Sequence, residues 1–164
     1  MTIRFGILTV SDRSSRGERA DASGPALAHL IETQGWSVLK TAIVPDEESA
    51  VRAALTEWAD GGEVDVILTT GGTGFAPRDV TPEATRAVIQ RNAPGLAEAM
   101  RAESLKKTPH AMLSRAVAGI RGRTLIVNLP GSPGGAVENL QIILPVLFHA
   151  VQLLREDPAS ESSH

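Results

Sequence analysis

The stretch 69-TTGGTGFAPRDVTPEAT-85 holds the densest set of residues capable of chemistry in this chain. Gly71, Gly72 and Gly74 let the main chain approach an anion closely and turn amides toward it. Thr70 and Thr73 add hydroxyl donors. The loop departs from the Walker pattern because no lysine follows the glycines, and from the dinucleotide fingerprint because Phe75, Ala76 and Pro77 stand where a third glycine is needed. A tight strand-to-helix turn would use the same glycines, but the threonines favour an anion. Arg78 and Asp79 read either as a surface ion pair or as a site pair. In the second case Asp79 lies on a magnesium ion beside phosphates and Arg78 lies near the loop.

Three further clusters carry polar groups of the same kind. Ser11 and Asp12 end an apolar run and serve either loop initiation or a ligand. Asp46, after Val44-Pro45, is either a helix N-cap or a site carboxylate facing the same rim. In 128-NLPGSP-133, Asn128 has donors and an acceptor that need partners in a buried strand. Pro130 and Gly131 follow it, and Ser132 before Pro133 suits a helix cap. Ser114, in 112-MLSRAVAG-119, is the least readable from spacing. The histidines at 29, 110, 149 and 164 form no ligand-spaced pair, and there is no cysteine. With no His, Cys or Lys expected near these loops, covalent catalysis is disfavoured. Amides, hydroxyls and carboxylates suit phosphoryl or nucleotidyl transfer, where positioning and electrostatics do most of the work.

Such a set needs a scaffold. The 164 residues suit one domain, expected over residues 1–155, followed by a polar tail, 156–164, expected to be disordered. A net charge of −3 with no basic block argues against a nucleic-acid surface. The N-terminus reads as a strand and not as a signal peptide. No apolar run looks long enough for a membrane span, since 142-IILPVLFHAVQLL-154 contains Pro145 and His149. The expectation is a soluble, cytoplasmic protein with no membrane partner.

Apolar runs at 3–10, 36–44, 64–70 and 124–130 read as strands, several apolar nearly throughout, as in parallel sheets covered on both faces. Helices are expected from a Ser23 cap with Pro25, from Pro45-Asp46, from a Thr81 cap with Pro82 to about Arg91, over 94–105, and over 136–154 with a bend at Pro145. Leu96 to Leu105 looks like an exposed apolar face. Residues 106–122 are part loop, part short strand. The expected fold is α/β, a mostly parallel sheet flanked by helices on both faces. In such folds ligands bind at the carboxyl ends of the strands, where all these clusters fall.

The segments TVSDR, VPDE, TTGGTGFAPRDVTPEAT, MLSRAVAGIRG and NLPGSP, in this order, resemble the molybdopterin-binding family of molybdenum cofactor biosynthesis. They are most similar to its adenylyltransferase branch and to the G domain of gephyrin. The resemblance runs from about Ile3 to Leu154 and so covers the expected domain. It implies magnesium-dependent transfer of AMP from ATP to the terminal phosphate of molybdopterin, with release of pyrophosphate. It implies Asp46 and Asp79 as the catalytic, metal-holding aspartates, and Gly71, Gly72, Gly74, Ser114 and Asn128 as ligand contacts. It also implies a homotrimer and a downstream molybdenum-insertion protein. Some relatives of this fold lack the aspartate after GGTG, or lack activity. The intact PRDVTPEAT and VPDE segments favour the active branch, while the short length is nearer the other. Two alternatives stand beside it: a molybdopterin carrier without catalysis, and an unrelated magnesium-nucleotide enzyme.

Overall fold

The computed structural model describes residues 1–163. Its elements in chain order are β1 (Arg4–Val10), α1 (Asp12–Ser15), α2 (Ser23–Thr33), β2 (Ser37–Val44), α3 (Glu48–Asp60), β3 (Val66–Thr70), α4 (Thr81–Val88), β4 (Arg91–Asn92), α5 (Pro94–Leu105), β5 (Ala118–Arg121), β6 (Thr124–Leu129) and α6 (Pro133–Leu154). Short 3-10 segments lie at Pro109–Leu113 and Pro158–Ser163. The strands form one six-stranded sheet in the order β2-β1-β3-β6-β5-β4. The first four are parallel, while β5 runs antiparallel to both β6 and β4. The mostly parallel α/β sheet expected from the sequence is therefore the fold.

Alternation along the strands divides two apolar layers. Phe5 and Ile7 of β1, Val66 and Leu68 of β3, and Leu125, Val127 and Leu129 of β6 pack with α2, α5 and α6. Leu8 and Val10, Ile67, and Ile126 face the other way, onto α3 and α4. Gly6 lies under Trp58 of α3, where a Cβ would come within 2.8 Å of the ring. Both sheet faces are thus covered, which explains the continuous apolar runs.

Several local expectations are corrected. Ser23 is not the cap of α2; it is the first helical residue, and its hydroxyl bonds Asp21, whose carboxylate also accepts the Gly24 amide. Thr81 is likewise inside α4, with its hydroxyl turned back onto Gly71. Asp46 does not cap α3, which starts two residues later. α4 ends at Val88 because the chain becomes extended at Ile89, leading into β4, which the sequence did not suggest. α6 begins at Pro133, capped by Ser132 as expected, and is one helix through Pro145.

By length and composition α6 is apolar enough to cross a membrane, contrary to the reading of the sequence. Its Ala136, Leu140, Ile143, Leu147 and Val151 stripe packs in the core. The Leu96 to Leu105 face is also corrected: Ala97 and Met100 are buried and Leu96 packs against the core, so only Leu105 of the expected leucines is exposed. In the polar tail, Pro158–Ser163 forms a 3-10 segment in which the Ala159 amide bonds the Asp157 carboxylate and Ser160 is buried. His164 lies outside the described residues.

Candidate functional site

The chain passes from β1 through α2 to β2 on one flank of β1, while β3, reached through α3, lies on the other. This reversal opens a crevice at the carboxyl ends of β1 and β3. A cavity of about 320 Å³ lies there, lined among others by Ser11, Asp46, Thr70, Gly71, Gly72, Asp79, Gly131 and Ser132. The tertiary structure therefore brings together four of the clusters singled out in the sequence.

The glycine loop forms the floor. Gly71 has φ +105°, and a Cβ on it would lie 2.3 Å from the Val10 carbonyl oxygen. Gly72 has φ +69°, and a Cβ there would lie 2.4 Å from Thr81 Oγ1 and 3.1 Å from Asp46 Oδ1. Only glycine meets both demands. The Thr81 amide and hydroxyl fasten the carbonyls of Gly72 and Gly71, at 3.1 and 2.9 Å. Thr70 lines the cavity and also has a structural bond. Its hydroxyl is buried and donates to the Pro130 carbonyl at 2.6 Å, tying the ends of β3 and β6 together.

Asp46 and Asp79 bring their carboxylates to this floor. A Cβ on Gly74 would meet Asp79 Oδ2 at 3.0 Å, and that oxygen also accepts the Ala76 amide at 3.0 Å. Burial pushes the Asp46 carboxyl above its usual range, and the charges of Asp12 and Asp79 push the same way. Asp12 behaves oppositely. Two hydrogen bonds from Arg78, both 2.8 Å, hold it down to about 2. Arg78 therefore pairs with Asp12, not with Asp79, and spans from the glycine loop to the end of β1. Ser11 caps α1 by accepting the Ser14 amide, so its hydroxyl has a local partner on the cavity wall.

Asn128 is fully buried. Its amide donates to the hydroxyls of Thr69 and Thr85 at 3.0 and 2.9 Å, and its oxygen accepts the Val117 amide at 3.1 Å. Asn128, expected as a ligand contact, thus ties β6 to β3, to α4 and to the segment leading into β5, and it also lines a second cavity. This second cavity, about 360 Å³, opens on the other side of the loop, where Thr73, Gly74, Ser114, Pro130 and Ser132 contribute to its wall. Lys107 and His110 also line it, which corrects the expectation that no lysine or histidine stands near these loops.

The sequence reading also missed Asp21, and it gave no role to Arg115, which stands beside Ser114 in the segment least readable from spacing. Asp21 lines the first cavity and holds Thr9 and the start of α2. Arg115 reaches the carbonyls of Gly74 and Asp79. Local spacing carries no signal for contacts across so many residues. No group of three or more His, Cys, Asp or Glu suited to a metal occurs among the described residues. Asp46 and Asp79 are a two-carboxylate, all-oxygen set, as magnesium commonly uses alongside phosphates.

Residues 6–149 match a family described as a probable molybdopterin binding domain. The chain is 48% identical over 157 residues to the molybdenum cofactor synthesis protein cinnamon of Drosophila melanogaster, covering 95% of this chain and 26% of that protein. It thus spans about a quarter of that longer relative. It is 43% identical over 155 residues to a molybdopterin adenylyltransferase of Helicobacter pylori strain J99, covering 93% of this chain and 88% of the other. A crystal structure of the molybdopterin biosynthesis enzyme MoaB from Thermus thermophilus superposes with TM-score 0.90 at 54% identity, covering 96% of this chain and 99% of that one.

Proposed function

The chain belongs to the molybdopterin-binding domain family, and on that premise we propose that it serves molybdenum cofactor biosynthesis as a nucleotidyltransferase. It transfers AMP from ATP to the terminal phosphate of molybdopterin. An oxygen of that phosphate bonds to the α-phosphorus of ATP, the bond from that phosphorus to the β-phosphate oxygen breaks, and pyrophosphate leaves with the electron pair. The nucleophile is already ionised, so no strong general base is required. Among the described residues, no His, Cys or Lys lines the first cavity, in keeping with this.

The observation that carries the reading is the convergence of Asp46 and Asp79 on the glycine loop. The raised Asp46 carboxyl, with like charges on two sides, is what a cation site looks like before the cation's own charge is counted. The two carboxylates fit magnesium and would hold it. Bound there, it supplies positive charge against the phosphates, the part a Walker lysine plays elsewhere. Gly71, Gly72 and Gly74 bring the main chain close to the phosphates. Ser11, Asp12, Arg78, Thr73, Ser114, Pro130, Gly131 and Ser132 line the approaches. Thr70 and Asn128 belong to the same substrate-binding set and also hold the strand ends. Residues 1–155 as one folding unit, a homotrimeric assembly, a cytoplasmic location and hand-over to a molybdenum-insertion protein belong to the same proposal.

The test is direct. Purified protein is mixed with molybdopterin, ATP and magnesium, and adenylylated molybdopterin is sought by mass spectrometry. The product is expected with the native chain and lost in Asp79→Asn. Molybdopterin that binds but stays unmodified would make this chain a carrier. ATP turnover without any need for the pterin would make it a different nucleotide enzyme.

A further inference from the structure

Arg115 holds the glycine loop from behind. Its main-chain amide donates to the Thr73 carbonyl at 2.8 Å. Its Nε donates to the Gly74 carbonyl at 2.8 Å, and its Nη2 to the Asp79 carbonyl at 2.7 Å. The remaining arm, Nη1, bonds Glu83 Oε2 at 2.7 Å, on the first turn of α4. One residue therefore fastens both ends of the 74–79 segment, on which Arg78 and Asp79 are carried. The fork geometry matters, because a planar guanidinium offers donors at fixed angles and a lysine ammonium does not.

The three carbonyls bound by Arg115 are also groups that would repel a phosphate. Those of Gly74 and Asp79 are drawn onto its guanidinium and that of Thr73 onto its main-chain amide, so their lone pairs are taken up by donors and not turned on an anion. Glu83, held below the usual carboxylate range by Arg115, balances the guanidinium so that the fork stays in place. Within the loop, the Ala76 amide closes onto the Asp79 carboxylate and the Asp79 amide onto the Ala76 carbonyl. This small ring sets the direction of the Asp79 side chain. It hangs from the Gly74 and Asp79 carbonyls that Arg115 grips.

We infer that Arg115 is the positioning residue of the site, acting with Glu83 to set the 73–79 loop and through it the Asp79 carboxylate. The inference rests on the nucleotidyl-transfer reading for its consequence in activity, but not for its consequence in the loop.

The experiment compares Arg115→Lys with Arg121→Lys. Arg121 likewise joins a carboxylate, Asp60, to a main-chain carbonyl, that of Val88, but away from the loop. Hydrogen exchange is followed at the amides of Ala76, Asp79 and Thr81 without any ligand, together with global unfolding, ATP affinity and adenylyl transfer. In Arg115→Lys, exchange at these amides rises about tenfold while the two variants unfold alike. Turnover falls by about 10- to 100-fold with a smaller change in KM.

Loop exchange and kcat unchanged from the native chain would overturn the inference. So would a rise in exchange spread evenly over the whole chain. If Arg115→Lys does not fold, Glu83→Gln takes its place, and unchanged loop exchange there overturns it equally. If the loop responds as expected but the native chain makes no adenylylated product, the positioning role stands and the transfer reading falls.

Discussion

The amide of Asp12 donates to Asp46 Oδ2 at 2.8 Å, and the amide of Asp46 returns a bond to Asp12 Oδ1 at 3.0 Å. This reciprocal pair joins the ends of the neighbouring strands β1 and β2. It also places two carboxylates side by side with opposite fates. Arg78 holds Asp12 ionised, with its pKa down to about 2, while burial and like charge push Asp46 up. Environment thus separates two identical side chains.

Asp46 should cost the ligand-free protein stability. Its folded pKa is raised, so folding favours the protonated form. The cost is present above the folded pKa and disappears as pH falls below the unfolded carboxylate value. Asp46→Asn keeps an acceptor for the Asp12 amide and removes the charge. At pH 7.5 it should be more stable than the native chain by about 0.5 kcal/mol, with adenylyl transfer lost. Thermal unfolding at pH 7.5 and pH 4 reads both the gain and its shrinkage. A variant less stable than the native chain at pH 7.5 would refute the reading.

Gly71→Ala should fail structurally. The substitution combines φ +105° with a 2.3 Å approach to the Val10 carbonyl oxygen, main chain that cannot swing aside. A loss of about 3 kcal/mol or more is expected. Gly95→Ala is the contrast, because nothing lies within 4 Å of a Cβ there and the residue is in α5. It should gain about 0.5 kcal/mol. Denaturant midpoints of the two variants measure the difference, and equal midpoints would contradict it.

Asn128→Ala should destabilise by about 2–3 kcal/mol, since it leaves the Val117 amide and two buried threonine hydroxyls short of a partner. A stability within about 0.5 kcal/mol of the native chain would show that these buried bonds do not hold the strand ends.

At the opposite end of the sheet, Asp65 is buried and bonded by both Arg4 and Arg155. Burial alone would raise its pKa, but the two arginines outweigh it and the net shift is downward. Its stabilising part is therefore full above the unfolded carboxylate value and is lost as pH falls through the folded one. Asp65→Asn should cost about 3 kcal/mol at pH 7. The gap to the native chain should narrow below about pH 4. A gap that holds constant from pH 7 to pH 3 would show that geometry, not charge, sets the cost.

Much of this was legible in the chain itself. The parallel strands showed as apolar runs because both faces of the sheet are covered, and GGTG after a strand marked the loop because glycine alone adopts its backbone angles. One group of errors concerned helix caps. Ser23 and Thr81 were read as caps, and Asp46 as a cap or a site carboxylate, from their place before a helix; none caps its helix, and Asp46 lies on the cavity. Thr70 and Asn128, expected as ligand contacts, do line the two cavities, and what the sequence did not show is that their polar groups also have buried partners on other elements.

By itself, then, the order of residues determined the fold class and the rim on which chemistry could occur, and its resemblance to a family pointed to the two aspartates worth testing. The first two follow from local rules: apolar period, turn chemistry and residue type. The tertiary structure alone decided that Arg78 pairs with Asp12, that Asp46 is pushed up while Asp12 is held down, and that Arg115 grips the loop. Charge and hydrogen bonding act through space over a few ångströms, and the partners here lie 66, 41 and 36 residues apart for Arg78 with Asp12, Arg115 with Gly74 and Arg115 with Asp79.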